Sequence, residues 1–101
     1  MKYRNEATDR LFEAILSLKS KEECADFLKD LCTVRELHDM GQRLETAILL
    51  SEGVSYQRIS ETVGISSATV SRVNRCLVYG EGGYQNAIRK LKEQKDEKET
   101  E

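Results

Sequence analysis

The sequence predicts an all-α protein of about six helices with a helix-turn-helix at its centre. Apolar residues recur every three or four positions along most of the 101-residue chain, and no stretch alternates apolar and polar side chains as a half-buried strand would. Charged residues make up 34% of the chain and proline is absent, a composition typical of one soluble helical domain. We place this domain at residues 1–91.

Several classes of protein are excluded by composition. The longest purely apolar run, residues 47–50, is far shorter than the roughly 18 residues that a membrane span needs, and no apolar block follows the N-terminus as in a secretory signal. Cys24, Cys32 and Cys76 are an odd number without a CxxC pair, which favours a reducing cytoplasm over a disulfide framework. His38 is the only histidine, so we expect no metal site, and no cofactor is expected either.

The first half of the chain predicts three helices. Apolar positions at helical spacing run through residues 3–18, and the capping-box pattern S-x-x-E at 20–23 opens a second helix. The related pattern T-x-x-E at 33–36 opens a third helix, for which Gly53 is the expected end. Gly41 lies inside this third helix at a cost of about 1 kcal/mol relative to Ala. It is either tolerated by chance or required by the close approach of another backbone or a ligand.

Residues 55–78 have the features of a helix-turn-helix, in which two short helices are joined by a tight turn. Gly64 stands where the chain leaves the first helix, a position that favours positive φ, and Ser66 or Ser67 can cap the second helix. Ser60 is small enough to let the helices approach closely. The apolar residues spaced to form the internal wedge are Ile59, Val63, Ile65, Val70 and Val73.

The chain ends in one more predicted helix and a charged segment. Three glycines within 80–83 indicate a flexible break before a helix that carries Tyr84, Ala87, Ile88 and Leu91. Residues 92–101 contain no apolar side chain and carry three lysines against five acidic residues. They are predicted to be a disordered tail.

The charge of the helix-turn-helix favours a nucleic-acid partner, although the whole chain has a net charge of −2. Residues 53–80 carry three arginines against one glutamate, and small polar residues at the start of the second helix would let it enter the major groove of double-stranded DNA. The expected DNA contacts are Tyr56, Gln57, Ser66, Ser67, Ala68, Thr69, Ser71, Arg72 and Arg75. The structural alternative is an ordinary helical hairpin, and a serine nucleophile has no positioned base here.

These motifs resemble those of known regulators. Residues 68–74, Ala-Thr-Val-Ser-Arg-Val-Asn, are similar to the recognition helix of lactose-repressor-type proteins, in which this unit lies at the extreme N-terminus. The layout as a whole is similar to the tryptophan repressor family, through Leu-His-Asp-Met-Gly-Gln-Arg at 37–43, Gly53, Gly64 and residues 68–72. Within that family it most resembles the branch called YerC/YecD.

The resemblance implies an intertwined homodimer that binds a near-palindromic operator through two movable helix-turn-helix units. It also implies an effector pocket in which two arginines clamp the ligand, matched here by Arg43 and Arg72, with Thr33 and Cys76 at two further pocket positions. Cys76 replaces a serine of the family and is a poorer acceptor, and the loop after Gly53 is one residue shorter. Burial of the first helices against a second copy also fits a chain too short to cover them itself.

The sequence therefore predicts a cytoplasmic, homodimeric, sequence-specific DNA-binding regulator of transcription, of repressor type, and not an enzyme. Whether a small amino-acid or aromatic effector binds is left open, because a surface charge at Arg43 and a phosphate contact at Arg72 explain these residues without an effector. The alternative function is a helical dimer that binds a protein partner without specific DNA binding.

Overall fold

The structure is a computed structural model that describes residues 4–100, with side chains to Lys98. Its helices, in chain order, are α1 (Glu6–Leu16), α2 (Lys21–Leu31), α3 (Val34–Ser51), α4 (Tyr56–Ile59), a π-helical turn (Ser60–Gly64), α5 (Ser67–Tyr79) and α6 (Gly83–Thr100). The described residues include no strand, so the all-α prediction with six helices is confirmed. Tyr3, the first predicted apolar position of α1, lies outside the described residues.

Side chains cap the first three helices. The Thr33 hydroxyl accepts the Glu36 backbone N–H at 3.0 Å, and the Glu36 carboxylate accepts the Thr33 backbone N–H at 2.9 Å, which completes the predicted capping box. Ser20 caps α2 by accepting the backbone N–H of Glu23 at 3.0 Å, as predicted. The cap of α1 is Asn5, which the apolar pattern did not reveal, and this helix ends at Leu16, short of the predicted residue 18.

The described chain divides into two compact units, one up to Leu37 and one from His38, so the boundary lies within α3. The single-domain assignment to residues 1–91 stays a prediction. No side chain of residues 4–37 is buried. Every buried residue belongs to the second unit, and these are Thr46, Ala47, Ile59, Val70, Val73 and Ile88.

The first unit exposes much of its apolar surface. Leu16 is 84% exposed and Val34 is 85% exposed, values close to those of a free side chain. Phe12, Ile15 and Leu31 are also exposed. The spacing of these apolar side chains predicted the helices. Within the described residues, however, they are not buried in a core.

The core of the second unit lies where α3, α5 and α6 meet. Ala47, Val73 and Ile88 are 0%, 3% and 5% exposed and form its centre. The partly buried side chains packed against this centre are Ile48, Leu50, Leu77 and Tyr84. Within the second unit, α3 and α6 therefore pack against α5, the candidate recognition helix.

The end of the chain differs from its prediction. Instead of a disordered tail from Lys92, α6 continues as a helix to Thr100, and Gly83, predicted in the break, is its first residue. The segment has neither glycine nor proline after Gly83, and its Lys, Glu and Gln residues are good helix formers. An ion pair between Arg89 and Glu93, one turn apart at 3.7 Å, adds local support. Charge alone therefore was not a sign of disorder. Glu101 lies outside the described residues.

Two kinds of site are absent from the described part of the chain. None of its helices combines the length and the apolar character that crossing a bilayer requires. Over the same residues, no three His, Cys, Asp or Glu side chains come together in a way that could hold a metal ion.

Candidate nucleic-acid interface

The turn between α4 and α5 has the backbone that a helix-turn-helix requires. Gly64 has φ +82°, in the left-handed region that favours glycine, as the sequence predicted. The Ser60 hydroxyl donates to the Ile65 carbonyl, and the Ile65 backbone N–H donates back to the Ser60 carbonyl at 3.3 Å. Ser60, predicted only to be small, thus also fastens the two ends of the turn together.

The predicted wedge packs inside the unit. Ile59 and Val70 are completely buried and Val73 is 3% exposed, while Val63 and Ile65 are half-buried. The helices α4 and α5 are in direct contact, so they form one body. A closed interior of this kind leaves the remaining side chains of α5 available at the surface.

Ser66 caps α5. Its hydroxyl accepts the Thr69 backbone N–H at 3.2 Å and lies 2.9 Å from the Thr69 hydroxyl. Ser67, the other predicted cap, is instead the first helical residue. Ser55 caps α4 in the same way, accepting the Arg58 backbone N–H at 3.2 Å. Both helices of the motif therefore have a serine as their N-cap.

The leading end of α5 carries small polar side chains and two arginines. The exposed residues of the predicted contact set are Tyr56, Gln57, Ser66, Ser67, Ala68, Ser71, Arg72 and Arg75. Thr69 is half-buried, because its hydroxyl faces Ser66 and it also lines a neighbouring cavity. The Gln57 amide donates to the Glu61 carboxylate at 3.3 Å, so this predicted backbone contact already has a partner within the protein.

The helix-turn-helix as a whole is locally basic. Arg58, Arg72 and Arg75 are all exposed, and Glu61 is the acidic residue between positions 53 and 80. An exposed guanidinium can contact a phosphate with two parallel hydrogen bonds. Three such groups on one short motif favour a polyanionic ligand over a neutral one.

A cavity of about 450 Å³ lies between α3 and the start of α5, within the second unit. It brings together three of the four predicted effector residues, Arg43, Arg72 and Cys76. The fourth, Thr33, belongs to the first unit and is not among the lining residues, and the structure describes it only as a helix cap. Hydrogen bonds from Thr33 hold the pKa of the Glu36 carboxyl below its ordinary value.

Sequence reasoning missed three residues of this cavity: Asp39, Gln42 and Tyr84. Asp39 is four residues before Arg43 and so shares its helix face, a signal that was available. Gln42 donates its side-chain amide to the Val63 carbonyl at 3.2 Å, a contact across 21 residues of sequence that no local pattern indicates. Tyr84 comes from α6, and its place here depends on how that helix packs.

Known proteins resemble this chain in sequence and in fold. The sequence matches the family described as Trp repressor protein over residues 6–92. It is 48% identical over 96 residues to the uncharacterized protein YerC of Bacillus subtilis (strain 168), covering 95% of this chain and 92% of that protein.

Two crystal structures are similar along nearly the whole chain. A TrpR-like protein from Eubacterium eligens ATCC 27750 has a TM-score of 0.86 and 46% identity, covering 89% of this chain and 93% of that one. A provisionally assigned Trp repressor from Staphylococcus aureus has a TM-score of 0.86 and 42% identity, covering 90% and 91%. The fold, the motif and these matches agree, and the chain belongs to the Trp repressor protein family.

Proposed function

We propose that this protein is a dimeric, sequence-specific DNA-binding regulator of transcription, of repressor type, acting in the cytoplasm on a near-palindromic operator. The observation that carries the proposal is the leading end of α5, capped by Ser66, exposed, and followed by Arg72 and Arg75. A helix end of small polar residues can enter the major groove, and the arginines can then reach phosphates or guanine edges. Three free cysteines fit a reducing compartment.

The residues of the motif divide into two roles. Ser67, Ala68 and Ser71 are exposed on the face of α5 that would meet base edges, where hydroxyls bond bases and the Ala methyl can touch a thymine methyl. Thr69, half-buried beside them, offers its methyl and hydroxyl at the rim of this face. Arg72 and Arg75, with Tyr56 and Gln57 on α4, would hold the sugar-phosphate backbone and set the register.

Dimerisation is supported by the apolar surface of the first unit. Its helices leave Phe12, Ile15 and Leu16 exposed, and membership of the family implies that a second copy of the chain covers them. Two-fold symmetry then places the two recognition helices about one helical turn of DNA apart, roughly 34 Å. Since the surface is only modestly basic, affinity should depend on both half-sites together.

The test is a DNA-binding titration followed by fluorescence anisotropy at several salt concentrations. Before the titration, operator fragments are selected from genomic DNA with the purified protein, in the presence and absence of free amino acids. Arg75→Ala should weaken binding to operator and random duplexes alike and flatten the salt dependence. Thr69→Ala should cost about 1 kcal/mol on the operator only. Lys90→Ala, an exposed cation on α6, is the matched control.

The alternative is a helical dimer that binds a protein through the same surface, which the net charge of −2 favours mildly. Salt separates the two functions, because affinity for random duplex DNA falls steeply with salt for a DNA-binding protein and is absent for a protein-binding module. Equal losses of operator and random binding in Thr69→Ala would count against base reading.

An amino-acid or aromatic effector is proposed for the cavity between α3 and α5. Its volume of about 450 Å³ is in the range of small-molecule sites. Arg43 and Arg72 offer planar cations for an aromatic ring and a carboxylate, and Asp39 supplies an acceptor for an ammonium group that Cys76 would bind poorly. Calorimetric titration with aromatic amino acids tests this, with Arg43→Ala expected to abolish the heat signal and Lys90→Ala as control.

A further inference from the structure

We propose that Gln42 is a positioning residue that holds the turn of the helix-turn-helix against α3 and thereby sets the direction of the recognition helix. The effect on the turn stands on the contacts within the second unit alone. Its consequence for DNA spacing rests on the proposed function.

The contact joins distant parts of the second unit. The Gln42 side-chain amide donates to the Val63 carbonyl at 3.2 Å, and both residues are half-buried. Val63 lies next to the end of the π-helical turn, where carbonyl groups have no partner within the helix. The amide thus supplies a donor to a carbonyl that needs one. The other turn bonds described here, those between Ser60 and Ile65, are local and do not reach α3.

The α3 end of this contact is fixed by burial. The Gln42 carbonyl accepts the Thr46 hydroxyl at 2.8 Å, and Thr46 is completely buried. Ala47, the next residue, is also completely buried and belongs to the core of the unit. Gln42 therefore starts from a part of α3 that cannot easily shift.

At the other end of the contact, a small movement of Val63 would change the direction of α5. Val63 directly precedes Gly64, whose positive φ sets the change of direction, and α5 begins three residues later. A displacement of the Val63 carbonyl relative to α3 therefore rotates the leading end of α5. The chemistry requires a donor at position 42, because a carboxylate there would place negative charge against the carbonyl oxygen.

The first experiment measures amide hydrogen exchange in residues 60–65 without DNA. Gln42→Met keeps the side-chain length and removes the donor, and should raise exchange in this turn about fivefold, the factor for one lost hydrogen bond. Gln42→Glu should do the same or more. Gln42→Lys keeps a donor and should restore slow exchange. Gln57→Met, which removes the exposed Gln57–Glu61 bond instead, should leave the turn unchanged.

The second experiment uses the selected operator in versions whose half-site spacing differs by one base pair. Wild-type protein should prefer one spacing, and Gln42→Met should reduce that preference about fivefold. Its random-DNA affinity should stay that of the wild type, and its thermal unfolding midpoint should stay that of Gln57→Met. Merely structural weakening would lower the midpoint and all affinities together.

The outcomes separate this inference from the proposed function. Unchanged exchange in Gln42→Met, or no rescue by Gln42→Lys, overturns the role of Gln42. Faster exchange with unaltered spacing preference overturns its consequence for DNA. Wild-type protein without operator binding overturns the proposed function, and the exchange result then decides the role of Gln42 by itself.

Discussion

The two compact units of this protein are both built from amphipathic helices, yet within the described residues only one of them has a core. Between residues 4 and 37, α1 and α2 have no buried side chain, and Leu16 is 84% exposed. From His38 onward, α3, α5 and α6 enclose Ala47, Val73 and Ile88. The difference teaches that hydrophobic period predicts a helix but does not say whether its apolar face is covered within the same chain.

The consequence is thermodynamic. A buried Leu, Ile or Phe side chain contributes about 1.5–3 kcal/mol relative to an exposed one, and the first unit receives little of this within one chain. An 11-residue helix such as α1 or α2 is marginal in isolation. The first unit therefore needs another surface, and the proposed dimer provides it.

The largest effect is expected in the core of the second unit. Ile59→Ala removes a completely buried side chain and should lower the free energy of unfolding by about 2–5 kcal/mol. Ile15→Ala in α1, where the side chain is 43% exposed, is the matched control. Urea unfolding at two protein concentrations measures both. If a second copy covers Ile15, its cost grows with protein concentration, whereas a small cost for Ile59→Ala would contradict the described core.

A smaller effect is expected at the apolar surface of the first unit. Leu16→Ser should weaken self-association at least about a hundredfold, because a buried leucine contributes about 1.5–3 kcal/mol to an interface and each dimer loses two. Sedimentation equilibrium measures the change. Glu13→Ser, also exposed on α1, is the control. Unchanged association would mean that this surface is not the dimer contact.

Two glycines should respond to alanine with opposite signs. Gly64→Ala forces a side chain into a backbone of φ +82° and should destabilise by about 1–2 kcal/mol. Gly41→Ala, within α3 and with no atom of the described chain near its added methyl, should stabilise by up to about 1 kcal/mol. Thermal unfolding measures both. A destabilising Gly41→Ala would show that a second copy also approaches the second unit closely, at the glycine that the sequence left unexplained.

The smallest effect concerns pH and the cap of α3. The pKa of Glu36 is lowered in the folded state, so its carboxylate contributes stability above its unfolded pKa and loses it as the pH falls through the folded value. The stability difference between wild type and Glu36→Gln should therefore be present at neutral pH and vanish in acid. Urea midpoints across this range measure it, with Glu22→Gln as control. A difference independent of pH would contradict the carboxylate's role.

Much of the fold could be predicted because its signals are local. Ser20, Thr33 and Ser66 cap the helices that follow them, and Gly64 has the positive φ that a change of direction needs. The wedge residues Ile59 and Val70 are buried as their spacing indicated. The structure differs from the predicted disordered tail, because the helix propensity of the residues after Gly83 outweighs their charge and α6 continues to Thr100.

Less of the candidate site could be predicted. Arg43, Arg72 and Cys76 meet in one cavity, but their effector role and the DNA contacts of α5 stay predictions. Asp39 and Tyr84 also line that cavity. The sequence indicates Tyr84 only as an apolar position of the last helix, because its place at the cavity depends on the packing of α6 against the core.

Local sequence is sufficient for the helical class, the caps of α2, α3 and α5, the turn at Gly64 and the inner face of the helix-turn-helix, because each depends on residues within a few positions of one another. Tertiary packing, by contrast, brings Gln42 to Val63, places Tyr84 at the same cavity as Arg72, and leaves the apolar face of the first unit uncovered. Such contacts depend on the angles at which helices cross, and those angles follow from side-chain packing over the whole unit rather than from any short pattern.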